Sequence, residues 1–278
     1  MSEVKKPFKT LDFKCALVTG GAGGLGRAFA EHFLSLYKNV IIAGRTESKL
    51  QAAVKEMKEN KELHGEISYY ILDTGDLASL PTFISKITSE HPDLDCLVNN
   101  AGVQRPLDVN NMKPEDFLSK ADQEIAINVN GPIHLAVGLL PHFRQKEGAV
   151  IMNVSSVLGY VPFSIINPVY NGTKSMVHFW TMNLRTQLSK TTAEGGNRIK
   201  VVEIVPPTVE TELHRERENP DDNKKEANAA ALSIGEFMRD VKHGWEQDRD
   251  VVAAGMGMGL SDSWYETFGA DYEKAASG

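Results

Sequence analysis

Tyr170-Asn171-Gly172-Thr173-Lys174 sets a phenol and an ammonium four residues apart. On a helix that spacing puts both on one face, one turn apart. A nearby cation favours a phenolate, so it lowers a tyrosine pKa from its usual value of about 10. A tyrosine tuned that way exchanges a proton with an alcohol or carbonyl oxygen near neutrality. A bare Tyr-x-x-x-Lys also arises by chance in a chain of 278 residues, so its weight comes from its surroundings.

A second stretch is built to hold an anion. Thr19-Gly20-Gly21-Ala22-Gly23-Gly24-Leu25-Gly26 follows the apolar run 15–18 and precedes the helical pattern Leu25, Phe29, Phe33, Leu34. Strand, glycine-rich turn and helix let a backbone approach a pyrophosphate at a helix N-terminus, where unpaired N–H groups and the helix dipole favour negative charge. Gly21, Gly23 and Gly26 fit G-x-G-x-x-G, while Gly20, Gly24 and Gly26 fit T-G-x-x-x-G-x-G. Both alignments stand on the residues alone, beside the plainer reading of a flexible turn without ligand.

The elements that must position these groups alternate along the chain. Apolar runs predict strands at 15–18, 40–43, 67–72, 94–98, 150–154 and 199–205, with helices near 24–37, 46–62, 77–90, 114–146 and 168–190. The strand runs are almost purely apolar, as expected of a parallel sheet covered by helices on both faces. Right-handed crossovers then give an α/β, Rossmann-type doubly wound sheet of about seven strands. Without a Pro/Gly/Ser-rich linker or a repeat, residues 1–278 read as one dinucleotide-binding domain. The highly charged segment near 210–230 reads either as an exposed loop or as a lid over the ligand-binding edge of the sheet.

Composition excludes several function classes. A formal charge of −7, with basic residues scattered, argues against nucleic acid as a partner. No stretch approaches 18 consecutive apolar residues, so no membrane span is expected. The polar start, 1–14, lacks the apolar core of a signal peptide, and two cysteines in apolar runs cannot build a disulfide framework. These features together suggest a cytoplasmic protein. The eight histidines show no metal-ligand spacing, so no catalytic metal is expected.

Between the glycine turn and the tyrosine lie Asn99-Asn100-Ala101-Gly102, Asn128-Val129-Asn130-Gly131 and Asn153-Val154-Ser155-Ser156, each at or near the end of an element. With these motifs in order, the sequence resembles the short-chain dehydrogenase/reductase family from 14 to about 211. The resemblance implies a catalytic tetrad of Asn128, Ser156, Tyr170 and Lys174. Tyr170 would be the acid/base, and Lys174 would lower its pKa and bind the nicotinamide ribose. Ser156 would hold the reacting oxygen, with the adjacent Ser155 as the alternative, and Asn128 would hold a relay water. For the cofactor, the resemblance implies Gly20, Gly24, Leu25 and Gly26 at the pyrophosphate, Asp73 at the adenine and Asn99 beneath the adenosine ribose. Pro206, Val209 and Thr211 would join Tyr170 and Lys174 at the nicotinamide end. Pro207 stands where the family carries glycine, removing a backbone donor and stiffening that loop. The segments around Tyr170 and 204–211 look like a branch of microbial reductases named after the D-alanylation operon protein DltE.

NADP(H) is the expected cofactor. Dinucleotide folds specific for NAD(H) end the second strand with an acid for the ribose 2′-OH, whereas here the run ends Ala43-Gly44-Arg45. Arginine offers a donor fork for a 2′-phosphate. Glu47 is the competing, NAD-type reading. The uncharged stretch Gly159-Tyr160-Val161-Pro162-Phe163-Ser164-Ile165-Ile166 must pass over the reacting centre, which points to neutral, largely apolar ketones or aldehydes. Other readings are an epimerase or dehydratase on the same fold, or a non-catalytic nucleotide-binding scaffold. Surplus apolar residues on the tyrosine helix (Phe179, Trp180, Met182, Leu184) suggest a homodimer built on helices 124–146 and 168–190.

Overall fold

The computed structural model of the protein describes residues 8–193 and 198–277. Its centre is a sheet of seven strands, all paired in parallel, in the order β3-β2-β1-β4-β5-β6-β7. The strands are β1 (Cys15–Thr19), β2 (Asn39–Gly44), β3 (Ile67–Ile71), β4 (Leu94–Asn99), β5 (Gly148–Val154), β6 (Arg198–Val205) and β7 (Val251–Ala253). Residues of β1, β4 and β5 are buried throughout, which is why their sequences run apolar instead of alternating. The edge strand β3 is only partly covered.

Helices α1 (Gly24–Ser35) and α2 (Glu47–Glu59) cover one face together with α7 (Ile234–Glu246). There Phe29, Phe33 and Trp245 pack ring on ring, with centroids 5.6 Å apart for Phe29–Trp245 and 5.3 Å for Phe33–Trp245. The other face carries α3 (Leu80–Glu90), α5 (Gly131–Phe143) and α6 (Pro168–Ala193), through Ile87, Leu139, Phe143, Leu184 and Leu188. Met182 and Leu184 of α6 are thus core residues, and Trp180 packs partly against the same core. Phe179 remains half exposed, next to Trp264 of the last helix, α8 (Met256–Ser277).

The stretch expected as one helix over 114–146 is three pieces. An α-helix, α4 (Pro114–Ile125), passes into a π turn (Ala126–Asn130) and then into α5. A π turn is a rare local widening of a helix that is frequent at functional sites. Here it carries Asn128.

Register aligns the strand ends. Thr19 stands level with Ala43 of β2, and Val18 with Val98 of β4. The glycine turn, Gly44-Arg45 and Asn99-Asn100 therefore open at one edge, where β1 separates β2 from β4. Such a switch point leaves a crevice for a ligand.

Candidate active site

The glycine turn is held in shape from two sides. Gly20 N–H donates to the Ala43 carbonyl at 2.7 Å, and Asn100 Nδ2 donates to the Thr19 carbonyl at 2.9 Å. Gly20 and Gly24 have φ of 66° and 51°, the left-handed region that favours glycine. A Cβ on Gly26 would stand 2.4 Å from the Gly20 carbonyl oxygen, so the first turn of α1 and the glycine turn meet backbone to backbone. At Gly23 a Cβ would meet nothing within 4 Å. A Cβ on Gly21 would also stand 2.6 Å from Ile42 Cγ2, so the alignments separate at Gly23: each of Gly20, Gly24 and Gly26 requires glycine, whereas Gly23 does not.

Above this turn lies an open cavity of about 590 Å³, walled by Gly20, Gly24, Leu25, Asn100, Tyr170 and Lys174 among others. A smaller space of about 150 Å³ continues past Gly20 to Arg45 and Asp73. Arg45 is exposed there, its guanidinium 3.9 Å from the Asp73 carboxylate. Asp73 also accepts from the Gly75 N–H at 2.9 Å. Glu47 is a first-turn residue of α2 and bonds Gln51 and Tyr69, so it does not compete with Arg45 at the end of β2.

Asn99 departs from its expected place. Its Nδ2 donates to Asn153 Oδ1 at 2.9 Å and to the Pro132 carbonyl at 3.3 Å, and it lines none of these cavities. The reason is strand alternation: Asn99 points into the sheet's covered side, and its neighbour Asn100 faces the glycine turn. Asn100 was not singled out from sequence, although the Asn-Asn pair offered both.

Tyr170 and Lys174 lie one turn apart on α6 and are both buried. The ammonium stands 5.5 Å from the phenol ring centroid and donates to the Val154 carbonyl at 2.8 Å. Ser156 and Tyr170 line one and the same cavity, the Ser156 hydroxyl favours the ionised phenol, and Ser156 Oγ accepts from the Leu158 N–H at 3.1 Å. Ser155 is turned away: its hydroxyl donates to Glu203 Oε1 at 2.6 Å, in a buried cluster with His178. Of the two serines, Ser156 is therefore the one that meets the tyrosine.

The electrostatics differ from the expectation of a lowered tyrosine pKa. Burial foremost, and then Glu124, push the Tyr170 phenol above its ordinary value, against the Ser156 hydrogen bond and the charge of Arg217. Burial pushes Lys174 down to about 8, with Glu124 acting in the opposite direction. The two residues are close, as the spacing predicts, but burial and not the ammonium dominates the phenol.

Asn128, carried inward by the π turn, is buried and clamps the segment after β4. Its Oδ1 accepts from Val103 N–H at 2.9 Å, and its Nδ2 donates to the Val103 carbonyl at 2.8 Å and to Thr173 Oγ1 at 3.2 Å.

A further cavity of about 440 Å³ opens on the other side of Tyr170. Leu25, Tyr170, Pro206, Thr211 and Leu213 wall both large cavities, so the two spaces meet at the tyrosine. Val209 lines the second cavity and bridges Leu232, while Thr211 Oγ1 accepts from the Leu213 N–H and its methyl stands 3.4 Å from the Cβ position of Gly24. One side of the second cavity is apolar, with Val157, Leu158, Phe163 and Met256. The other carries His214, Arg217 and Asp222, three residues not singled out from sequence within the charged segment near 210–230 that reads as a loop or a lid. Arg217 bonds Asp222 at 2.6 Å, Gln104 at 2.9 Å and Asn167 at 2.8 Å, tying that segment to the body. Its outer residues are exposed as well, so the exposed-loop reading holds for the outward side.

Residues 14–222 match the short chain dehydrogenase family. An oxidoreductase of Bacillus subtilis, DltE, is 30% identical over 93% of this chain and 93% of its own. The NADP-dependent 3-hydroxy acid dehydrogenase of Schizosaccharomyces pombe is 32% identical over 77% of this chain and 78% of its own. Among solved structures, a short-chain dehydrogenase from Sphingobium yanoikuyae in complex with NADPH superposes with a TM-score of 0.77 over 95% of both chains, at 20% identity. Fold, motif order and these matches agree: the chain belongs to the short-chain dehydrogenase family and is an oxidoreductase.

Proposed function

We propose that the protein is an NADP(H)-dependent carbonyl reductase or alcohol dehydrogenase acting on neutral, largely apolar small molecules. The observation that carries this reading is the position of Tyr170, where a glycine-walled cavity meets a second, mixed one that Ser156 also lines. The first cavity fits a dinucleotide: its floor is a cradle that a Cβ at Gly26 would fill, and Arg45 waits at the end of β2. Gly20, Gly24, Leu25 and Gly26 would hold the pyrophosphate, Arg45 the 2′-phosphate and Asp73 the adenine. Pro206, Val209 and Thr211, with Lys174, would hold the nicotinamide end. The relative from S. pombe is NADP-dependent by name, which supports the same cofactor. When bound, the cofactor supplies or accepts the hydride.

The chain's own residues handle the proton. Tyr170 holds it at the phenol oxygen, and Ser156 hydrogen-bonds the reacting oxygen beside it. Lys174 keeps a positive charge near that oxygen, and Asn128 fixes the segment that closes over the lysine. A phenol held above its ordinary pKa is protonated at neutral pH, which suits donation to a carbonyl. Reduction is thus the favoured direction near neutrality, and alcohol oxidation gains as pH rises.

The segment near 210–230 acts as the lid, and residues 1–278 as a single functional unit. Arg217 and Asp222 cancel each other's charge in the cavity wall, and burial pushes the His214 pKa down, so the wall favours a neutral substrate. A second reading is a hydroxy acid whose carboxylate displaces Asp222 from Arg217, supported by the S. pombe relative, a 3-hydroxy acid dehydrogenase. The exposed Met176 and Phe179 of α6 and Val137 of α5 support a homodimer across these helices. Two buried free thiols fit a reducing, cytoplasmic setting. The test follows NADPH absorbance with a panel of neutral ketones, aldehydes and 3-oxo acids. Turnover of neutral carbonyls supports the main reading, preference for the acids supports the second, and absence of any nicotinamide-linked turnover overturns both.

A further inference from the structure

His214 and the phenol of Tyr170 line the same cavity of about 440 Å³. The histidine closes a short 3₁₀ turn, Glu212–His214, in the segment proposed as the lid, and its side chain is 10% exposed. Its Nδ1 is hydrogen-bonded to Asp222 Oδ1. The second oxygen of that carboxylate accepts from Arg217 Nη1 at 2.6 Å. Arg217 in turn donates from Nη2 to Gln104 Oε1 at 2.9 Å and to Asn167 Oδ1 at 2.8 Å. The charges of this wall answer one another, and the second ring nitrogen, His214 Nε2, has no partner among the described residues.

The bond to Asp222 decides what that nitrogen can do. Burial acts to raise the Asp222 pKa, but the hydrogen bonds from His214 and Arg217 hold it below its ordinary value, so the group is an ionised, accept-only carboxylate near neutrality. Nδ1 must then carry the hydrogen and donate it. Burial foremost pushes the His214 pKa down; Asp222 opposes, and Arg217 and Lys224 add to burial. The ring is therefore neutral near pH 7, and Nε2 presents a lone pair.

We propose that His214 is a specificity-determining residue, whose Nε2 accepts a hydrogen bond from a hydroxyl that a neutral carbonyl substrate carries away from its reacting carbon. The inference rests on the carbonyl chemistry proposed above and narrows its substrate class. Val157, Leu158, Phe163 and Met256 would take the carbon skeleton on the apolar side, and the hydroxyl would donate across the cavity to the ring. Such a hydroxyl leaves the Asp222–Arg217 pair intact. A methyl ether of nearly the same shape accepts but does not donate, so it leaves the lone pair unmet.

The experiment measures NADPH-linked kcat/KM for three neutral ketones of one skeleton: hydroxymethyl-, methoxymethyl- and ethylacetophenone, each as the meta and the para isomer. At one of the two positions the hydroxymethyl compound should exceed both others by about 2–10-fold, the range of one neutral hydrogen bond. In His214→Phe, which keeps a ring and deletes the lone pair, that ratio should fall to about one. An advantage that survives in His214→Phe assigns the acceptor to another group of the wall, such as Thr208, and overturns the proposal. Ring-nitrogen NMR of the wild type needs neither a variant nor turnover. His214 should show the tautomer with hydrogen on Nδ1, and its Nε2 resonance should move on adding the hydroxymethyl ketone and stay in place with the methoxymethyl one. The opposite tautomer, or an equal response to both, overturns the proposal. A wild type that reduces all three ketones alike ends this inference and leaves the proposed function standing. One without any nicotinamide-linked turnover refutes that function, and the NMR comparison still decides His214.

Discussion

Replacing Gly26 by alanine tests the cradle directly. The added Cβ would lie 2.4 Å from the Gly20 carbonyl oxygen and 2.5 Å from Asn100 Nδ2, where ordinary contact begins near 3.4 Å. One side or the other must yield by about 1 Å, and neither is free to do so. Gly20 is tied to Ala43 and Asn100 to Thr19 by hydrogen bonds of 2.7 and 2.9 Å. Overpacking of this kind costs about 1–3 kcal/mol, which lowers the melting temperature by roughly 2–12 °C in a domain of this size. The shift falls on the surface that would receive the pyrophosphate. If only about 1.4 kcal/mol of that strain is expressed on binding, the NADPH dissociation constant rises tenfold. Gly23→Ala is the control for backbone strain and melting, since its Cβ meets no protein atom within 4 Å and its φ of −164° is extended backbone. Fluorescence titration with NADPH and thermal denaturation of both variants decide the matter. Wild-type affinity and melting in Gly26→Ala, or a loss of melting temperature confined to Gly23→Ala, would refute the reasoning.

Tyr170→Phe keeps the buried ring and removes the proton donor, so turnover should fall about 10²–10⁴-fold while NADPH still binds. Substantial steady-state activity in that variant would end the acid/base assignment. Arg45→Ala removes the charged donor at the end of β2; losing a charged hydrogen bond worth about 1.5–3 kcal/mol should cut the NADPH-over-NADH preference at least tenfold, and an unchanged ratio of kcat/KM values would assign the preference elsewhere. Light scattering at micromolar concentration should give twice 30.6 kDa, and Phe179→Glu should shift it toward monomer; a wild-type monomer sinks the dimer.

The sheet was legible because its strands are buried on both faces and therefore spell uninterrupted apolar runs. Strand β7 is only three residues long, too short to stand among the six apolar runs read as strands. Helices α7 and α8 went unnoticed, although Ser233-Ile-Gly-Glu236 spells a capping box that the structure forms, with bonds of 2.8 and 3.2 Å. Tyr170, Lys174 and Ser156 were readable from spacing and motif. His214 and Arg217 were not: their meaning depends on distant elements folding together, and a histidine or an arginine in a charged run reads first as solvated surface. Of the adjacent pair, Asn99 bonds inward to Asn153 and Asn100 bonds the glycine turn at Thr19, for a plain reason. In a strand, one residue is the difference between the covered face and the open one.

The π turn at Ala126–Asn130 makes chain length a functional quantity. A π turn accommodates an extra residue in a helix that otherwise advances about 100° per residue. Deleting one residue there would let the backbone relax into a continuous helix, a locally comfortable outcome whose cost falls elsewhere. Everything on one side of the turn would then rotate by about 100° against the other. Asn128 would leave Val103, or α5 would turn Leu135 and Leu139 out of the sheet's core. The chain thus keeps its phase at the price of a wider turn, and substitutions are tolerated along this rod far more readily than a change of one in its length.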